Sequence, residues 1–189
     1  IEISVDHGEE LAAKTWNPRL GIVGGLSILG TTGVVVPYSC SAWIDSIRMG
    51  IDVAVALGHP HVAGCTGSTS ETVVMGEYAL PDEALLDMGD FAGAVLKYLR
   101  RHPVPRLTIA GGFAKMSKLA AGHMDLHSGR SQVDLAFLRD LARGAGAKPA
   151  LTISVGKATT GLDALRMCQA EGVPLGDAVA VAAREAALR

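Results

Sequence analysis

No apolar run in this chain of 189 residues reaches the roughly 18 residues that a membrane-crossing helix needs. A surplus of one charge is missing too. The 17 basic and 19 acidic side chains give a formal net charge of −2. Because they are interspersed, nothing points to a nucleic acid or a membrane surface as partner. Cysteine is scarce: Cys40, Cys65 and Cys168 are an odd number without metal-type spacing. They read as reduced, buried thiols of a cytoplasmic protein rather than a disulfide framework. No internal repeat or low-complexity linker divides the chain. With 49% hydrophobic residues, it is long enough to build one sizeable core. The first residue is Ile1, inside an apparent strand IEISV, so the lack of a signal peptide carries no information.

What the chain does have is a concentration of glycine. Gly24, Gly25, Gly30 and Gly33, with Ser27, Thr31 and Thr32 between them, leave few side chains for a core. Such a backbone can turn with positive φ and bring its N–H groups close to an anionic or nucleotide-like group. A tight turn between two buried strands is the alternative. The spacing matches neither G-x-G-x-x-G nor G-x-x-x-x-G-K-[ST], since no Lys follows Gly33.

Periodicity predicts the remaining organisation. Ser39 can cap a helix with apolar positions Trp43, Ile44, Ile47, Ile51 and Val55, which Gly58 ends. A strand from His61 to Cys65 precedes a Gly/Ser/Thr turn and a helix to about Ala79. Pro81 to Asp87 reads as a connection, and Asp90 precedes a helix through Phe91, Val95 and Leu99. Arg106 to Ala110 is a buried-type strand running into Gly111-Gly112. Helices are expected over AKMSKLAAG and from Ser131 to about Arg143, a strand over Leu151 to Val155, and two short helices from Leu162 and Pro174. This alternation predicts an α/β fold: a mostly parallel sheet with helices on both faces. The Ala-rich final helix suits packing against its neighbours or a second subunit, which leaves a homo-oligomer open. In such sheets ligands sit at the carboxyl ends of the strands. Three glycine-rich exits, Gly30 to Gly33, Gly64 to Gly67 and Gly111-Gly112, make a cleft there the expected site.

The motifs also carry a resemblance. Asn17 to Pro37 reads NPRLGIVGGLSILGTTGVVVP, followed later by AKMSKLAAG (114–122) and HMDLHS (123–128). Together these resemble the CbiD family of cobalamin biosynthesis, the S-adenosylmethionine-dependent cobalt-precorrin-5B C(1)-methyltransferases. The family pattern near the loop is roughly NPRLGI-x-GG-x-SILGTTGIV-x-P. Departures are GGFAKMSKLAAG for GHIGK-x-x-K-x-AAG, LHS for THS, and Thr66-Gly67-Ser68 where the family carries a Pro-Gly-Asn-like turn. Members are nearly twice as long. The resemblance therefore implies that residues 1–37 join the end of an N-terminal domain to an α/β domain over 38–189.

The resemblance implies transfer of a methyl group from S-adenosylmethionine to C-1 of a cobalt-containing corrinoid, which needs positioning rather than a metal or covalent nucleophile. Gly24, Gly25, Gly30, Thr31, Thr32, Gly33, Gly111 and Gly112 are candidate donors to the methyl donor. Asp90, or Glu71, can accept from its ribose; a helix-capping role is the alternative for each acid. The acetate and propionate edges of a corrinoid call for cations and hydrogen-bond donors. Arg19, Lys115, Lys118, Ser128 and Arg130 are the candidates, and Lys115 and Lys118 align with the family's GK-x-x-K and share a helix face. His127, in the family's His-Ser, is the candidate for moving a proton. His123 and His127 are spaced i, i+4, but the Glu of a zincin is absent and Gly122 interrupts the helix, so a metal-dependent hydrolase is the weaker alternative. A corrinoid- or nucleotide-binding module without complete catalytic machinery is the other. His59 and His61 flank Pro60 and are expected to be exposed and idle.

Overall fold

The computed structural model describes residues 4–15, 17, 22–26 and 39–189. A short helix, α1 (Gly8–Ala12), precedes the first long one, α2 (Cys40–Ala56). The Ser39 hydroxyl accepts from the Ala42 N–H at 3.3 Å, which caps α2 as its sequence predicts. At the other end Gly58 turns at φ 74°. Its N–H reaches the Val55 carbonyl, and that of His59 reaches Ala54, which satisfies the last turn. Between these stops, Ile47, Ile51 and Ala54 bury one face of α2.

Three strands follow: β1 (His61–Cys65), β2 (Leu85–Asp87) and β3 (Arg106–Ala110). They pair in parallel in the order β2-β1-β3, with Cys65 level with both Asp87 and Ala110. The connections contain α3 (Ser68–Tyr78) and α4 (Ala92–Leu99). From β1 the chain crosses to one side, then passes back over β1 to reach β3. Two right-handed crossovers running in opposite directions put their helices on opposite faces. The side chains agree. Ala63, Cys65 and Leu85 pack with Val74 of α3, while Val62 and Leu86 pack with Ile51 of α2 and Val95 of α4. The expected α/β fold, with a parallel sheet covered on both faces, is present.

Five helices complete the described chain: α5 (Phe113–Ala120), α6 (Leu135–Gly144), α7 (Pro149–Gly156), α8 (Gly161–Ala170) and α9 (Leu175–Ala187). Leu119, Leu138, Val155, Cys168, Leu175 and Val179 join the larger core. Two elements differ in type from expectation. Leu151 to Val155 is not a strand but the body of α7, which Pro149 opens and which buries Leu151, Thr152 and Val155. Packing at helical spacing there overrides the β propensity of its branched residues. The segment read as a connection contains β2, three residues too short to show a period. Helix α6 also starts later than Ser131, where the Asp134 carboxylate accepts from the Phe137 N–H at 2.9 Å. Residues 1–3 of the expected strand IEISV lie outside the described residues, and Ser4 and Val5 carry no regular structure. No helix among the described residues is long and apolar enough to cross a membrane.

Candidate functional site

The level ends of β1, β2 and β3 bring their three exits side by side at the carboxyl edge. The Thr66 N–H donates to Ala110 across the β1–β3 gap at 3.0 Å, and the Met88 N–H donates to Cys65 at 2.9 Å. Gly111 makes the first approach possible. A Cβ there would stand 2.7 Å from Thr66 Cγ2 and 2.8 Å from its Oγ1, whereas one on Gly112 would meet nothing within 4 Å. The first glycine serves packing, and the second leaves its backbone open. At the β2 exit, Gly89 turns at φ 55° beneath Trp43, whose indole Nε1 donates to the Asp87 carbonyl at 2.9 Å. Trp43 thus clamps this exit, although sequence periodicity gives it only an apolar position.

Lys115, on the first turn of α5, ties the three exits together. Its Nζ donates to the Thr66 carbonyl at 3.2 Å and stands 3.1 Å from Asp90 Oδ1. That oxygen is buried, and its geometry towards Lys115 is that of a charge contact rather than a directed hydrogen bond. Asp90 does not cap α4, whose N-cap is Phe91. Beside these groups lies a cavity of about 910 Å³ between α3, α5, α8 and α9. Thr66 to Ser70 and Gly111 to Lys115 give it a backbone-rich lining, to which Val73, Ile109, Met116, Leu162 and Ala180 add apolar side chains.

The segment bearing His127 is fixed to the same edge. The Leu126 N–H donates to the Asp90 carbonyl at 2.8 Å. Lys118, buried on α5, donates through Nζ to the Leu126 carbonyl at 2.9 Å. Lys115 and Lys118 are therefore separated by the fold: one lines the cavity, the other turns inward and anchors a loop. His127 is exposed, and its Nδ1 accepts from the Gly129 N–H at 3.1 Å, which places the proton of the neutral ring on Nε2. Arg130 is paired with Asp125 Oδ2 at 3.2 Å, and Ser128 is exposed beside it.

Other expected residues fall elsewhere. Gly24 and Gly25 have open space where a side chain would be, and neither lines the cavity. Arg19, Gly30, Thr31, Thr32 and Gly33 lie outside the described residues. Cys65 and Cys168 are buried thiols, but Cys40 is exposed at the start of α2. No group of three metal-type side chains occurs among the described residues. His61 is not idle. It is half-buried, hydrogen-bonded through Nε2 to Thr108 Oγ1 at 2.8 Å and edge-on to Tyr78. Burial, and then the nearby Arg106, hold its pKa below the usual histidine value.

The CbiD model matches residues 1–37, and the model of the CbiD C-terminal domain matches residues 125–189. The cobalt-precorrin-5B C(1)-methyltransferase of Paramagnetospirillum magneticum is 65% identical over 187 residues, covering 99% of this chain and 52% of the relative. Its namesake from Brucella abortus strain S19 is 60% identical over 189 residues, covering 100% of this chain and 51% of the relative. That of Brucella anthropi is 61% identical over 188 residues, with the same coverage. No solved structure matches. The chain spans about half the length of the curated relatives it matches. On the two family matches and this identity along its whole length, the chain belongs to the CbiD family.

Proposed function

We propose that the protein to which this chain contributes transfers a methyl group to C-1 of cobalt-precorrin-5B, with S-adenosylmethionine as donor. The observation that carries the reading is 60–65% identity to relatives bearing that activity in their names. The cavity at the joined strand exits supports it, being within the roughly 300–1,000 Å³ typical of small-molecule sites. When bound, the sulfonium supplies an electrophilic methyl group. A C–C bond forms as the C–S bond breaks, and sulfur keeps the electron pair.

The chain's own residues position and neutralise. The amides at Gly111-Gly112 donate to an anionic group of the donor, and the Lys115 ammonium adds a further hydrogen-bond donor beside them. Asp90 keeps its second oxygen for a ribose hydroxyl. Lys118 acts on the substrate through the Leu126–His127 loop that it anchors. His127, with Nε2–H outward, Ser128 and Arg130 form a rim that meets corrinoid carboxylates, and His127 is the candidate to accept a proton there. Gly24, Gly25, Gly30, Thr31, Thr32, Gly33 and Arg19 belong to the same proposal through their glycine-rich loop. The reading places the reaction in the cytoplasm, where thiols such as Cys65 and Cys168 stay reduced.

Incubation of the full-length protein with methyl-labelled S-adenosylmethionine and cobalt-precorrin-5B, without oxygen, tests the proposal. Label in the macrocycle is expected, and its absence overturns the reading. Because the chain spans half of its relatives, a second reading is a binding module whose catalytic groups lie in the other half. Binding of both ligands by the chain, with turnover only in the full-length protein, would favour it.

A further inference from the structure

We propose that the cavity between α3, α5, α8 and α9 holds the methyl donor rather than the corrinoid, and that Asp90 admits the donor's positive sulfur by neutralising Lys115. This assignment rests on the methyl-transfer reading above. Charge matching separates the two ligands. A corrinoid precursor is broad and edged with many carboxylates, each of which loses water on burial and needs a cation or several donors in return. Lys115 is the one charged side chain among the described residues lining the cavity, and it already faces Asp90 at 3.1 Å. A polyanion finds little compensation there. The donor carries one carboxylate, one ammonium and one sulfonium.

The rest of the lining suits such a molecule. Val73, Ile109, Met116 and Leu162 give apolar walls for a nucleoside base. Phe113 adds an aromatic ring, whose face attracts a cation. The backbone of Thr66 to Ser70 and Gly111-Gly112 supplies polar groups along one side. Alone, Lys115 would repel the sulfonium. With the buried Asp90 Oδ1 beside it, the pair presents no net charge, and attraction to the carboxylate offsets repulsion by the ammonium. The corrinoid then meets the protein outside the cavity, where His127, Ser128 and Arg130 are exposed.

Titration of the full-length protein with S-adenosylmethionine, S-adenosylhomocysteine and a corrin polycarboxylate (cobyrinic acid) tests both halves. Ala180 and Val73 line the cavity yet are exposed, so Ala180→Phe and Val73→Trp fill it without disturbing the core, as unchanged melting temperatures would verify. Each filling variant should weaken S-adenosylhomocysteine by about tenfold or more and leave cobyrinic acid within about twofold. Asp90→Asn should weaken S-adenosylmethionine about tenfold but the thioether less than about threefold, because only the former brings a positive sulfur against the unpaired Lys115 ammonium. Loss of cobyrinic acid binding with S-adenosylhomocysteine intact in the filled variants overturns the assignment and leaves methyl transfer standing. Equal weakening of both nucleosides by Asp90→Asn overturns the neutralising role. Failure of the unmodified protein to bind any of the three removes the methyl-transfer reading and this assignment with it.

Discussion

The two edges of the same three strands are built in opposite ways. At the amino edge, side chains satisfy one another. His61 shares a hydrogen bond with Thr108, meets Tyr78 edge-on with ring centroids 5.1 Å apart, and Arg106 lies over the Tyr78 ring at 4.8 Å. At the carboxyl edge, glycines remove side chains, the Lys115 side chain links the exits, and a cavity opens beside it. Polar groups that satisfy one another hold a fold and leave little for a ligand. Backbone groups kept bare by glycine, next to space, can take one. The difference teaches where to look: the edge with fewer side chains is the one with room for a ligand.

Gly111→Val attacks that edge most strongly. Its Cβ would sit 2.7 Å from Thr66, so either the β1 exit moves or the protein strains, at about 1–3 kcal/mol. We expect a lowered melting temperature together with loss of S-adenosylhomocysteine binding. Gly112→Ala, with open space around its new methyl group, should keep the melting temperature within a degree or two, on the scale of about 0.5 kcal/mol for a surface change. Equal effects at the two glycines would show that the close approach of the exits is unimportant.

The two lysines sharpen the contrast next. Lys118→Met leaves the Leu126 carbonyl without its donor and should cost about 1–3 kcal/mol of stability by denaturant unfolding. Lys115→Met removes a half-exposed amine that lines the cavity. Because Asp90 Oδ1 loses its counter-charge, stability should fall by about 1 kcal/mol, while S-adenosylhomocysteine binding weakens clearly. If Lys118→Met is silent in unfolding and Lys115→Met is not, their structural and binding roles are reversed.

That division between the lysines was beyond reach of spacing. Three residues apart on a helix, they share a face, and only the chain folded over Lys118 from Met124 to Leu126 separates them. Much of the sheet was readable. β1 and β3 are short apolar runs bounded by proline on one side and glycine on the other, and Ser39 and Gly58 mark the ends of α2 through local hydrogen bonds. α7 misled because its branched residues favour strands, and only burial against other helices decides its state. His61 misled for a similar reason: Pro60 marks a turn, but Thr108, which occupies the ring, is 47 residues away. Within the site, glycine exits and Lys115 were legible as residue types at strand ends. The Asp90–Lys115 pair and the Trp43 clamp depend on elements meeting in space, and no local pattern encodes that.

The smallest effect concerns the satisfied edge. Burial and Arg106 depress the pKa of His61 below its ordinary value of 6.5, so the unfolded chain takes up a proton at a pH where the folded chain does not. Between those two pKa values the unfolded state binds more protons, and stability rises with pH. The contribution is complete above about pH 6.5 and is lost as the pH falls through the lowered value of the folded state. Unfolding by urea should therefore show a lower midpoint near pH 5 than near pH 7, and His61→Gln should flatten part of that slope. Ligand binding at the far edge should follow its own pH profile, unaltered by the substitution. A His61→Gln protein whose ligand affinity moved with its stability would mean that the two edges are coupled, and that packing at one end of the strands sets the spacing of the exits at the other.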